Sequence, residues 1–219
     1  MTRTARLVST IGLGLAVALL WPTTGWTSGG TVAPPSARPY GYSLEQMAEV
    51  TAPFTRSGND PASYPDTPFQ ILYVTDVDYA LDGSGVVGTG SNQFSVAAGT
   101  TFYVPLLSVN DLPPVLGQFP ISPAEASAYL FAPSQYGGRD FEVVIDGEYT
   151  LVGPEYLVGP ITVDGSDGVR MVTLAAFVGP LRPGTHTVQV RGGVYGDLVD
   201  DTYGVSFIRE DLTYTVEVR

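Results

Sequence analysis

From residue 69 onward, the chain alternates between short runs of β-branched and aromatic residues and tight turns rich in glycine and proline. The run at 212–218 shows this most clearly, because apolar Leu, Tyr, Val and Val alternate there with Thr, Thr and Glu. A strand of this kind packs one face on a core and leaves the other in water, as in an antiparallel sheet. The pattern therefore predicts a mainly β chain.

Ten runs of this kind predict strands. They lie at residues 69–77, 92–96, 101–109, 141–145, 149–152, 161–163, 170–177, 185–191, 203–208 and 212–218. The third run is apolar at nearly every position, which predicts a strand buried on both faces. Pro105 within it has no N–H to donate to a ladder, so we expect a bulge or a sheet edge at that point.

Two segments carry helix signals instead. Ser43 and Gln46 fit a capping box, and Pro53 is expected to end the helix that they begin. A second helix is expected at 122–131, where a serine N-cap is followed by proline and, three residues on, by glutamate. Together these features predict a mainly β fold, an antiparallel immunoglobulin-like or jelly-roll-like β-sandwich with two short helices.

The first 30 residues have the pattern of a signal peptide. Arg3 and Arg6 precede an apolar segment at 7–21, which is shorter than the ~20 residues of a bilayer span. Small residues offer cleavage positions between residues 29 and 37. We therefore expect a secreted or cell-envelope exterior protein with no membrane span after cleavage, the alternative being an uncleaved N-terminal anchor.

The remaining chain divides into two parts by composition. Residues 31–42 are rich in proline, serine and glycine, which predicts a disordered linker, and residues 43–219 are expected to form a single β-sandwich domain. The chain has 22 acidic residues and ten basic ones, all arginine, with a net charge of −12. So acidic a surface repels nucleic acid and anionic membranes, and we expect neither as a partner.

Composition also removes most catalytic chemistries. The chain has no cysteine and no lysine, so thiolate nucleophiles, disulfides and Schiff bases are excluded. His186 is the only histidine, and any Ser-His-Asp arrangement would have to use it. Because His186 alternates with Val188 and Val190, we expect it on the apolar face near a strand end, hydrogen-bonded to a turn. We predict no catalytic residue.

Carboxylates are the remaining candidate ligands. Calcium prefers several hard oxygen ligands, and Asp164, Asp167, Asp76 and Asp78 are the candidates for such a site. Asp76 and Asp78 flank one residue at the end of a predicted strand and should share a face. None of these loops matches the EF-hand pattern, and Asp-Gly loops also form ordinary solvated turns. We expect no cofactor, with calcium as the alternative.

Several motifs in the later part of the chain carry a resemblance. The segments 181–188 (LRPGTHTV) and 211–218 (DLTYTVEV) resemble a group of uncharacterised exported bacterial β-sandwich proteins, in which a Pro-Gly-x-His-Thr strand precedes a closing Asp-x-Thr-Tyr strand. The segment 98–105 (AGTTFYVP) is similar to another strand of that group. The resemblance implies export and a β-sandwich, and it implies no catalytic residue.

These observations favour an exported, non-enzymatic β-sandwich protein that acts in binding, adhesion or envelope structure, with a carbohydrate or envelope partner. Tyr136, Tyr195 and Tyr203 lie in or beside glycine-rich loops and could stack on sugars, or could cap sheet edges with the hydroxyl in water. The alternative function is a secreted carboxylate-based, glycosidase-like hydrolase, which needs two of the 22 acids at a suitable separation.

Overall fold

The computed structural model describes residues 30–113, 115–163 and 168–219, and in these residues the chain is mainly β, as predicted. The strands are β1 (Gln70–Ile71), β2 (Asp78–Asp82), β3 (Gly85–Val96), β4 (Phe102–Asn110), β5 (Gly138–Ile145), β6 (Glu148–Leu151), β7 (Leu157–Thr162), β8 (Arg170–Val178), β9 (Gly184–Val194) and β10 (Ile208–Val218). The α-helices are α1 (Leu44–Arg56), α2 (Pro123–Phe131) and α3 (Asp197–Tyr203).

The strands form two sheets. The four-stranded sheet has the order β1-β4-β8-β7, and the six-stranded sheet has the order β2-β3-β10-β9-β5-β6. Both are mixed, because β1 runs parallel to β4 and β10 runs parallel to β3. The prediction of antiparallel sheets was therefore wrong at these two pairings. The alternation of apolar residues has the same period in both kinds of sheet, so it does not report strand direction.

One hydrophobic cluster contains residues of both sheets. From β10 it takes the four apolar residues whose alternation predicted an inward face, and each of them is buried. Phe177 of β8 lies in the same cluster, with its ring 5.0 Å from that of Phe69 and 5.8 Å from that of Tyr103. Side chains of all three α-helices also contribute to the cluster, namely Leu44, Met47, Phe54, Leu130 and Val199.

Helix α1 begins as predicted. Ser43 Oγ accepts a hydrogen bond from the Gln46 N–H at 3.2 Å, and Gln46 Oε1 accepts one from the Ser43 N–H at 2.9 Å. The predicted end at Pro53 was wrong, because the helix continues to Arg56. Proline removes one backbone hydrogen bond, and the extra turn buries Phe54 almost completely, which offsets that loss.

The predicted strand at 203–208 was wrong over most of its length. Residues 197–203 form a third helix, α3, and β10 begins only at Ile208. This helix is short, buries only Val199, and ends at Gly204 in the left-handed conformation with φ of 65°. Seven residues with one buried side chain carry too little periodicity to signal a helix.

Two other predictions concern strand limits. The run at 69–77 forms a strand only at Gln70–Ile71, and β3 starts at Gly85, well before the predicted residue 92. The irregularity predicted at Pro105 is confirmed, since the register of β4 against β8 shifts between Pro105 and Leu107.

Residues 31–42, for which a linker was expected, make definite contacts with the four-stranded sheet. Val32 forms an antiparallel bridge with Val178, and Ala33 is buried. A single 3-10 turn follows at Pro39–Gly41. Backbone groups at the end of β8 supply hydrogen-bond partners to this segment, and its composition did not reveal them.

Residues 1–29, which include nearly all of the predicted signal peptide at 1–30, lie outside the described residues. The calcium candidates Asp164 and Asp167 lie outside them as well. Among the residues that are described, no helix combines the length and the apolar character needed to cross a bilayer. Export therefore stays a prediction from the sequence.

Candidate functional site

The six-stranded sheet presents a polar outer face, opposite the face that carries the buried β10 residues. Partners in register on neighbouring strands share a face, and on this one β9, β10 and β3 contribute three successive rows. The rows are Arg191–Asp211–Thr89, Gln189–Thr213–Ser91 and Thr187–Thr215–Gln93. All nine residues are partly or fully exposed, so the face offers hydroxyl, amide and charged groups to solvent.

Two adjoining depressions on this side of the sheet share Asp211, and we call them together the outer-face groove. The first has a volume of about 360 Å³ and the second about 560 Å³. The first is lined by Asp140, Glu142, Leu151, Arg191, Gly192, Tyr195, Arg209, Glu210 and Asp211. The second is lined by Asp76, Asp78, Thr89, Gly90, Ser91, Gln189, Asp211 and Thr213. Both depressions are open to solvent, the second more so than the first.

Arg191 lines the first depression and holds two carboxylates, one of them that of Asp211, which both depressions share. Its position on β9 is directly opposite Glu142 on β5 and Asp211 on β10. Arg191 Nη1 is 3.3 Å from Glu142 Oε1, and Nε is 3.4 Å from Asp211 Oδ2. Its Nη2 donates to Gln189 Oε1 at 2.9 Å. These partly exposed pairs contribute little to stability, about 0–1 kcal/mol each, and chiefly fix the orientation of the side chains.

The calcium candidates that the structure describes lie in this groove. Asp76 and Asp78 both line the second depression, together with Asp211 from β10. Within the described ranges, no group of three or more His, Cys, Asp or Glu side chains is arranged to hold a metal ion. The structure therefore places Asp76 and Asp78 as polar lining groups of the groove.

The tyrosines singled out from the sequence have different surroundings. Tyr203 is exposed. Tyr195 is partly covered by the Arg139 guanidinium, which lies 3.9 Å from its ring centre. Tyr136 packs on Tyr129 with ring centres 5.0 Å apart. Sequence reasoning missed Tyr149, which is 69% exposed. Its place in a four-residue strand after an Asp-Gly turn was the available signal, because short strands of this kind lie at sheet edges.

Tyr149 lies on the same face as the groove. It pairs with Val144 of β5, and Leu151 pairs with Glu142, so both β6 side chains point to the outer face. Leu151 lines the first depression and is 64% exposed. An exposed aromatic ring therefore lies beside a groove of charged and hydroxyl side chains.

His186 lies outside the groove, near the start of β9. Its Nδ1 is 2.6 Å from Asp146 Oδ2 and its Nε2 is 2.8 Å from the Arg182 carbonyl oxygen. A carboxylate and a carbonyl only accept hydrogen bonds, so this geometry favours the imidazolium form, in which both ring nitrogens donate. Burial opposes this charge, but the hydrogen bonds to Asp146 and to Arg182 raise the pKa of His186 above its ordinary value. With both nitrogens bound, the ring ties the turn at Asp146 to β9 and has no free nitrogen to act as a base.

Replacing His186 with glutamine is expected to lower the free energy of unfolding by ~1 kcal/mol at about pH 5.5. Because the folded protein raises the pKa of His186, its stabilisation is complete below the unfolded pKa and is lost as pH rises through the folded pKa. The difference from the wild type should therefore shrink at about pH 9. Urea unfolding at both pH values measures this difference in the free energy of unfolding. Gln93→Ala is the control, because it removes no titratable group and its effect should be the same at both pH values. An equal loss at both pH values would contradict the charged state of His186.

The acids with shifted pKa values are ion-pair partners. Partial burial opposes ionisation of Asp111, but hydrogen bonds from Arg170 lower its pKa, including one from Arg170 Nε at 2.8 Å. Asp146 is likewise opposed by burial, and the hydrogen bonds from His186 and the Thr187 N–H lower its pKa. A glycosidase general acid needs a raised pKa, so these two acids do not fit that role.

No protein-family model and no curated protein matches the chain. One solved structure with some likeness is described as "Structure of PbICP-C in complex with falcipain-2", at 9% identity over 68% of this chain and 99% of that one, with a TM-score of 0.27. Another is described as "Solution Structure of Amebosin", at 8% identity over 60% and 97%, with a TM-score of 0.22. At TM-scores this low, neither likeness carries an argument about this chain.

Proposed function

We propose that the chain is an exported, non-enzymatic binding protein of the secreted or cell-envelope exterior space, and that its outer-face groove binds carbohydrate. The fold proposed with it is a β-sandwich of immunoglobulin-like or jelly-roll-like type. Support for the sandwich comes from the main hydrophobic cluster, which contains residues of both sheets, and from the polar outer face of the six-stranded sheet.

The observation that carries the proposal is the combination of groups in the groove. Arg191 holds Glu142 and Asp211 in fixed positions, and the hydroxyls of Thr213 and Ser91 lie in the adjoining row. Sugar hydroxyls both donate and accept hydrogen bonds, so they match a surface with charged donors and acceptors side by side. Tyr149 beside the groove offers an exposed ring for the apolar face of a sugar.

An array of soluble polysaccharides, followed by calorimetric titration of the tightest oligosaccharide, tests the proposal. Asp211→Asn keeps the side-chain shape but removes a charged acceptor, and we expect about tenfold weaker binding. Tyr149→Ala should weaken binding about threefold to tenfold through loss of the ring. Tyr203→Ala, which removes an exposed tyrosine outside the groove, is the matched control and should bind like the wild type.

The outcomes of these measurements distinguish glycan binding from the absence of binding and from hydrolysis. Failure of folded wild-type protein to bind any glycan would refute the proposal, as would equal losses in Asp211→Asn and Tyr203→Ala. Mass spectrometry of the oligosaccharide after incubation separates binding from the hydrolase alternative. If the wild type cleaves the oligosaccharide and Asp211→Asn does not, the function of the groove is hydrolysis and the binding proposal is wrong.

A further inference from the structure

Residues 30–33 run antiparallel to the end of β8 and the residues after it. Their backbone continues the ladder at this edge, with Val32 opposite Val178. Three backbone hydrogen bonds join the two segments, from Gly30 N–H to Pro180 O at 3.3 Å, from Gly179 N–H to Thr31 O at 2.9 Å and from Ala33 N–H to Phe177 O at 2.8 Å. The segment therefore satisfies backbone groups of β8 that would otherwise lie at an open edge.

Side-chain packing of this segment is equally specific. Ala33 is only 2% exposed and belongs to the main hydrophobic cluster. Its carbonyl oxygen accepts a hydrogen bond at 2.9 Å from the buried hydroxyl of Tyr156. Gly30 is buried with φ of 60°, and a Cβ there would overlap the Leu181 side chain. Two independent features, a buried hydrogen bond and a left-handed position that favours glycine, thus involve residues 30–33.

We infer that residues 30–33 are a structural strand of the folded protein and that the exported chain is cleaved on the N-terminal side of Gly30. The cleavage part rests on the export that is proposed above. Among the small residues expected to permit cleavage, Gly29 leaves the whole segment in place. Cleavage after Ala33 would remove it, and would leave the Tyr156 hydroxyl buried without its acceptor, which is costly.

The reaction is hydrolysis of one peptide bond by a host peptidase with water as co-reactant. The C–N bond breaks, the water oxygen adds to the carbonyl carbon to give the carboxylate of the leader, and the nitrogen takes up a proton as the new N-terminal amine. Cleavage before Gly30 leaves residues 30–33 paired with the end of β8.

Expression of the full chain in a secreting bacterial host, followed by N-terminal sequencing and intact mass of the extracytoplasmic protein, tests the cleavage. We expect the mature protein to begin at residue 30 or earlier. A mature chain that begins between residues 31 and 38 would overturn the inference. Full-length chain retained in the cytoplasm would instead refute export, and an exported chain that still carries Met1 would refute cleavage alone.

Hydrogen exchange tests the strand assignment separately, in any recovered protein that retains residues 30–33. In the protein as recovered, the amides of Ala33 and Gly179 should be protected to the same degree as those in the middle of β8. Exchange of both amides at the rate of an unfolded chain would overturn the strand. Ala33→Asp should lower the melting temperature by several degrees or prevent folding, whereas Ser36→Asp adds the same charge at an exposed position and should not.

Discussion

Replacing Phe177 with alanine is expected to lower the free energy of unfolding by about 3–5 kcal/mol. Phe177 is 1% exposed, and its ring stacks on Phe69 and meets Tyr103 at a tilted angle. Truncation removes buried apolar area and leaves a cavity that the surrounding aromatic rings fill only in part. Urea unfolding monitored by circular dichroism measures the loss.

Two control variants separate this loss from general effects of substitution. Phe177→Leu keeps most of the volume and should cost about 1–2 kcal/mol. Leu81→Ala removes a side chain that is 82% exposed on β2 and should change stability by no more than about 0.5 kcal/mol. A loss below about 1 kcal/mol in Phe177→Ala would show that this ring is not at the centre of the core.

Replacing Gly196 with alanine is expected to cost about 3 kcal/mol. An added Cβ would overlap the Gln135 carbonyl oxygen and lie 2.6 Å from the Gly137 nitrogen. Neither neighbour can retreat easily, because both are backbone atoms and the Gly196 N–H itself donates to the Tyr136 carbonyl at 2.8 Å. The bend between β9 and α3 therefore packs directly on the loop that follows α2.

A matched glycine separates this overlap from backbone strain. Gly204 has φ of 65°, but no atom lies within 4 Å of an added Cβ, so Gly204→Ala should cost only about 1 kcal/mol. Thermal unfolding of both variants gives the comparison. Equal losses in Gly196→Ala and Gly204→Ala would contradict the close backbone approach at Gly196.

Local signals in the sequence predicted most of the secondary structure. The alternation at 212–218 marks the inward face of β10, and the Ser43 capping box marks the start of α1. Pro105 marks the register shift in β4. Each of these features depends on a few neighbouring residues, so a pattern in the sequence is enough to reveal it.

The groove depends on contacts that no local pattern contains. Glu142, Arg191 and Asp211 belong to three strands, and only the register of β9 against β5 and β10 brings them together. Asp76 and Asp78 were predicted to share a face, but their position beside Asp211 follows from the parallel pairing of β3 and β10. A local pattern does not show that residues so far apart in the sequence are neighbours, because strand pairing is decided by the whole fold.

The position of β10 in the six-stranded sheet also sets the order in which the protein can form. This strand lies between β3 and β9, yet it follows every other strand along the chain. Until residues 208–218 have been synthesised, the strand that pairs with both β3 and β9 is missing. More than a hundred residues separate β10 from β3, its parallel neighbour. The six-stranded sheet can therefore be completed only after β10 is available, and pairing between strands so far apart in the sequence makes folding slow.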